Sequence, residues 1–157
     1  FSKGMGFSGL RVGYIVGCDR ILDPLFATAV AVVGATSTAA QQAATVALQH
    51  PGFMKQFETA YDKRRHRAVE ILNSVPGVHV MLPESGFLCW VDVSELGDST
   101  EIAAYLTAEA RVSVNDGKNY GQGGAGHLRI VLGVYRDDER VFAALEAVRD
   151  ALLRYKK

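Results

Sequence analysis

The sequence predicts an α/β to α+β chain in two blocks, residues 1–50 and 51–157. In the second block, helical stripes and alternating strands follow one another with short connections, the pattern of a small sheet covered by helices. The first block offers one candidate strand and two candidate helices, too little to close a fold.

Leu10–Gly17 reads as a strand bounded by glycines, with Val12, Tyr14 and Val16 on one face and Arg11 on the other. Asp23-Pro24 reads as an N-cap with proline in the first turn, followed by a stripe of Leu25, Phe26, Ala29, Val30 and Val33. Thr36-Ser37-Thr38 caps an alanine-rich helix to Gln49, and His50-Pro51-Gly52 stops it. A long charged helix follows from Phe53 to about Asn73. Its basic run, Lys63 to Arg67, reads as a solvated face balanced by Glu58, Asp62 and Glu70. Val78–Leu82 and Phe87–Val93 read as strands. Asp98 opens a helix to about Glu109, and Arg111–Val114 reads as a short strand. A loose loop is expected from Asn115 through Gly126, then a strand over His127–Gly133. Asp137-Asp138 caps the last helix, whose stripe is Val141, Leu145, Val148, Leu152 and Tyr155.

The 157 residues carry 17 Lys+Arg against 17 Asp+Glu, which argues against nucleic acid held by bulk charge. No apolar run is long enough to cross a bilayer, so no membrane partner is expected. Cys18 and Cys89 lie far apart, without metal or redox spacing. Both read as small buried apolar residues in a reduced, cytoplasmic setting. The chain opens without Met inside a glycine-rich loop and reads as a C-terminal fragment, so a targeting signal would not be visible.

Two stretches match the spacing G-x-G-x-x-G, Gly4/Gly6/Gly9 and Gly121/Gly123/Gly126. Each precedes an expected strand, whereas the dinucleotide loop follows a strand and opens a helix, so NAD or FAD binding is not expected. The four histidines show no metal spacing. Lys3 offers an amine able to form an imine, and Arg11 a planar fork suited to phosphate. Arg129 lies between the inward-pointing Leu128 and Ile130, so it faces the other way. There it could be a structural arginine or could grip a carboxylate through two parallel hydrogen bonds.

Ser2-Lys3-x5-Gly9-x-Arg11-x-Gly13 resembles the cofactor-lysine motif of the PLP-dependent aminotransferases of fold type I, class I/II, the aspartate aminotransferase group. Pro83-x-x-Gly86-Phe87-x-x-Trp90-x-Asp92 is similar to that family's small-domain hairpin. Val114-x-Asp116-Gly117, Tyr120-Gly121 and Gly126-x-Leu128-Arg129-Ile130 are similar to its substrate-carboxylate strand. The matches fall in family order along nearly the whole chain.

The resemblance implies that residues 1–50 are the end of the large PLP-transferase domain. Residues 51–157 would be a bridging helix and the small C-terminal α+β domain. It implies pyridoxal 5'-phosphate as cofactor, held by Lys3 as a Schiff base with Arg11 on its phosphate. Lys3 would also be the catalytic base and acid, and Arg129 would bind the substrate α-carboxylate, with Tyr120 and Asn115 on the loop facing the substrate. The family's phosphate-binding serine position falls just before Phe1, so Ser2 does not inherit that role. The implied activity is transfer of an amino group from an L-amino acid, aspartate included, to a 2-oxo acid, in a homodimer with Thr36–Thr38 near the subunit interface. The family's other cofactor contacts precede the lysine, so this piece alone is expected to be inactive. The stretch 114–126 also resembles the carbon–sulfur β-lyases of the same fold. An aminotransferase-like effector domain of a transcription regulator is a third reading.

Overall fold

The computed structural model describes residues 1–155. The chain forms two compact units, Phe1–Phe57 and Glu58–Lys157.

In the first unit, Met5 and Phe7 N–H groups both donate to the Phe1 carbonyl, and Gly6 N–H to that of Lys3, closing a turn around the lysine. Gly6 takes φ 69°, a left-handed conformation that glycine adopts without steric cost. A 3-10 turn over Ser8–Leu10 and an irregular segment follow, in place of the strand expected at Leu10–Gly17. A strand must satisfy its backbone groups on a neighbour, and among the described residues this unit has no other strand.

Helix α1 (Asp19–Val32) begins four residues before the expected cap, so Pro24 lies inside it. Asp19 favours the early start by placing a carboxylate in the first turn. The Cys18 carbonyl accepts from Ile21 and Leu22, and proline removes a single later bond. The helix ends as expected at Gly34, which takes the left-handed φ of 72° usual after a helix and donates its N–H to the Ala29 carbonyl. Cys18, expected to be buried, is exposed at the N-cap, and no residue of α1 is buried. Helix α2 (Thr38–Gln49) has Ser37 as N-cap, without the side-chain cap bond expected there. The buried cluster of this unit is small: Val12, Ala40 and Ala44, with Phe1 and Phe7 against it.

Helix α3 (Gly52–Leu72) supplies Ala68, Ile71 and Leu72 to the core of the second unit. Its basic run departs from the expected solvated face. Arg64 and Arg65 are buried, at 5% and 7% exposure. Arg64 donates to the carbonyls of Leu132, Tyr135 and Arg136 and to Asp138. Arg65 donates to the Gly86 carbonyl and to Asp62. A helix can bury a guanidinium when its neighbours offer carbonyls in the matching geometry.

Strands β1 (His79–Val80), β2 (Leu88–Asp92), β3 (Asn115–Asp116) and β4 (His127–Val131) form one antiparallel sheet in the order β1-β2-β4-β3. Val80, Val91, Leu128, Cys89 and Ile130 point to one side and are buried with α3, α4 (Ser99–Glu109) and α5 (Asp138–Arg154). Each large aliphatic side chain so buried contributes roughly 1.5–3 kcal/mol. Burial pushes the Cys89 thiol up to about 11, which leaves it protonated at neutral pH. The acidic caps are as expected: Asp98 accepts from Thr100 and Glu101, and Asp137 from Glu139.

The strand expected at Arg111–Val114 forms instead at Asn115–Asp116. Arg111 takes φ 56° just after α4 and turns the chain, so pairing with β4 begins only opposite Arg129. The loop expected to be loose holds two 3-10 turns, Gly117–Tyr120 and Gln122–Gly124, packed backbone on backbone. A Cβ on Gly124 would collide with the Gly117 carbonyl, and one on Gly117 with the Gly124 carbonyl. Among the described residues, no helix is long and apolar enough to cross a membrane.

Candidate functional site

Side chains on the sheet alternate between core and open face. Their register places Trp90, Arg129 and Asn115 in one row on the open face, with Asp92 and His127 in the next row. Arg129 Nη1 donates to Asn115 Oδ1 at 3.1 Å and to Tyr120 Oη at 3.3 Å. Its guanidinium carbon stands 5.3 Å from the Tyr120 ring centroid. Three residues singled out from the sequence, Arg129, Asn115 and Tyr120, thus meet. Among the described residues the Nε–Nη2 edge of Arg129 takes no hydrogen bond. That edge can bind a carboxylate through two parallel bonds while Nη1 stays anchored.

The loop that carries Tyr120 is braced from α4. Asp116 accepts from the buried Ser99 hydroxyl at 2.7 Å, from Thr100 Oγ1 at 2.6 Å and from Lys118 N–H at 3.1 Å. The Thr100 hydroxyl, then that of Ser99, holds the Asp116 carboxyl below its ordinary range. Lys118 Nζ reaches Asp98 at 2.6 Å. That ammonium, helped by the Thr100 N–H, lowers the Asp98 carboxyl to about 2. Both acids therefore stay ionised at neutral pH and keep their donors.

Trp90 was not among the expected site residues. It stacks on His127 (5.4 Å, 18°) and meets Tyr120 edge-on (6.0 Å, 87°). The signal was present in the alternation of β2, which puts Leu88, Trp90 and Asp92 on one face. It became readable only once β2 is paired with β4.

In the first unit, Lys3 and Arg11 are both exposed. Arg11 takes φ 50° and turns Nη1 onto the Ser8 carbonyl at 2.9 Å. An exposed amine in a closed turn and a guanidinium on the same glycine-rich loop suit an aldehyde cofactor with a phosphate. Among the described residues no group of histidines, cysteines and acids could hold a metal ion.

The family profile for aminotransferase class I and II matches residues 1–148, and the chain belongs to that family. The "Probable aspartate/prephenate aminotransferase" of Aquifex aeolicus is 29% identical over 97% of this chain and 39% of its own length. The "LL-diaminopimelate aminotransferase" of Natranaerobius thermophilus is 32% identical over 94% of this chain and 38% of its own. The crystal structure of an aspartate aminotransferase from Rhizobium meliloti superposes with a TM-score of 0.84 at 24% identity, over 99% of this chain and 41% of that one, and shares the fold. The chain thus spans about two fifths of the length of these relatives.

Proposed function

We propose that this chain is the cofactor-lysine and small-domain part of a PLP-dependent aminotransferase, which moves an amino group from an L-amino acid to a 2-oxo acid. The observation that carries the reading is the convergence of Asn115 and Tyr120 on Arg129, which leaves the other edge of its fork open for a carboxylate. Family membership and the relatives' names support the reaction class.

Pyridoxal 5'-phosphate, when bound, supplies the electron sink that acidifies the substrate Cα–H. Lys3 Nζ is assigned to hold the cofactor and to carry the proton taken from Cα. Arg11 is assigned to the cofactor phosphate. Arg129 orients the substrate by its α-carboxylate, with Tyr120 and Asn115 fixing the guanidinium. A homodimer is part of the proposal. It is carried over from the family to which the chain belongs. A cytoplasmic setting is also part of the proposal.

The test expresses the complete open reading frame with the cofactor. A visible absorption band and amino transfer to 2-oxoglutarate are expected, and both should vanish in Lys3→Ala. A Lys3→Ala protein that keeps band and turnover would refute the assignment.

A further inference from the structure

We infer that Asp116 is a positioning residue for the carboxylate grip of Arg129. It ties the turn that carries Tyr120 to the start of α4, and so sets the affinity for carboxylate substrates without touching them. The identity of the ligand rests on the aminotransferase reading, whereas the mechanical link rests on bonds within the second unit.

Asn115 and Asp116 are the two residues of β3, and their side chains point to opposite faces. Asn115 lies opposite Arg129 on the open face. Asp116 lies opposite the buried Leu128, on the face packed with α4. There its Oδ1 accepts from Ser99 Oγ at 2.7 Å and from Lys118 N–H at 3.1 Å, and its Oδ2 from Thr100 Oγ1 at 2.6 Å. One carboxylate thus joins β3, the first turn of α4 and the 3-10 turn Gly117–Tyr120, of which it is the N-cap.

Both partners of Arg129 Nη1 depend on this joint. Asn115 immediately precedes Asp116, and Tyr120 ends the turn that Asp116 caps. Their bonds to Nη1 are long, 3.1 Å and 3.3 Å. A loop displacement of about half an ångström is enough to break them. Arg129 would then keep its place on β4, but the substrate itself would have to order its side chain. Immobilising such a side chain on binding costs about three- to tenfold in affinity. The other ties of the loop do not replace this one. Lys118 Nζ also reaches α4, through Asp98 at 2.6 Å, but both side chains are half-exposed and such a pair holds weakly. The Gly126 carbonyl accepts from Val93 N–H at 2.8 Å, six residues beyond Tyr120. Ser99, by contrast, is fully buried, so water does not compete for its hydroxyl.

The test uses the complete reading frame with cofactor, and 2-oxoglutarate as the carboxylate probe. Asp116→Ala should raise the KM for 2-oxoglutarate, and its Kd by calorimetry, about fivefold, while kcat stays within about twofold. Ser99→Ala combined with Thr100→Val removes both hydroxyl bonds from the helix side. It should give the same rise, whether or not Asp116→Ala folds. A change of background separates positioning from general loosening. With Asn115→Ala and Tyr120→Phe in place neither bond to Nη1 can form, so adding either change should shift KM by less than about twofold. A KM and Kd within about twofold of the wild type in the Ser99→Ala, Thr100→Val protein would overturn the inference. So would a fall in kcat at unchanged KM, an undiminished rise in the altered background, or no binding of 2-oxoglutarate by the wild type. If the wild type binds 2-oxoglutarate but transfers no amino group, the proposed reaction is refuted, and the calorimetric Kd decides the role of Asp116 by the same ratios.

Discussion

Replacing Arg64 by methionine tests what holds the exit of β4 in place. The Arg64 side chain is 6% exposed and donates through Nε to Asp138 at 2.7 Å and through Nη1 to the Leu132 carbonyl at 2.8 Å. Two further bonds reach the Tyr135 and Arg136 carbonyls, each at 2.9 Å. Methionine keeps most of the packed stem and removes every donor. The costs differ by site. Leu132 is fully buried, so its carbonyl loses a partner that water cannot replace, at about 1–3 kcal/mol. Tyr135 and Arg136 are exposed and can turn to water. Asp138 is 29% exposed and keeps Lys63 at 2.9 Å, so its loss is partial, about 1 kcal/mol. The sum is about 3 kcal/mol, the low end of what breaking a buried ion pair costs. Guanidinium unfolding followed by Trp90 fluorescence measures it in the unit that contains the change. Lys63→Met, which removes an exposed partner of the same carboxylate, should cost less than about 1 kcal/mol. An Arg64→Met loss below about 1 kcal/mol, or one no greater than that of Lys63→Met, would refute the reasoning.

Two further outcomes follow from the loop that carries Tyr120. Gly124→Ala puts a Cβ into the Gly117 carbonyl, a backbone contact that no rotamer relieves. It should destabilise by about 1–3 kcal/mol, against under about 0.5 for Gly123→Ala, which faces open space, as read by thermal unfolding. For pH, the Asp98 carboxyl is lowered from 3.8 to about 2, first by the Lys118 ammonium and then by the Thr100 N–H. A depressed carboxyl stabilises the fold above its unfolded value and loses that contribution as pH falls through the folded one. Helix signal followed by circular dichroism should therefore decline between pH 4 and 2, and Asp98→Asn, which keeps the cap without the charge, should flatten that decline.

Much of the second unit was legible because its signals are local. Asp98 and Asp137 announce helix starts through their own side chains, and the stripe from Val141 to Leu152 names the buried face of α5. Arg129 could be placed on the open face from its neighbours Leu128 and Ile130 alone. Other features depend on partners that sequence order does not reveal. Arg64 looks like one more charge on a helix, and its burial is decided by carbonyls some seventy residues later, from Leu132 to Arg136. Trp90 reads as a strand residue until the β2–β4 register sets it opposite Arg129. The Leu10–Gly17 stretch has strand-forming residues, and what it lacks is a strand to pair with among the described residues of its unit. Arg111 breaks the expected strand because a left-handed residue is needed to leave α4, and arginine fills a position where glycine is the usual signal.

The most direct measurement is the steady-state kinetics of amino transfer by the complete reading frame, with the cofactor, in the wild type and in Arg129→Lys. Lysine keeps the positive charge and removes the planar fork. The assignment of Arg129 to the substrate carboxylate predicts a rise in KM for the amino donor and a fall in kcat/KM of about a hundredfold or more. The visible band assigned to Lys3 should persist, since Arg129 is assigned no part in holding the cofactor. A variant whose kcat/KM stays within about threefold of the wild type would contradict that assignment.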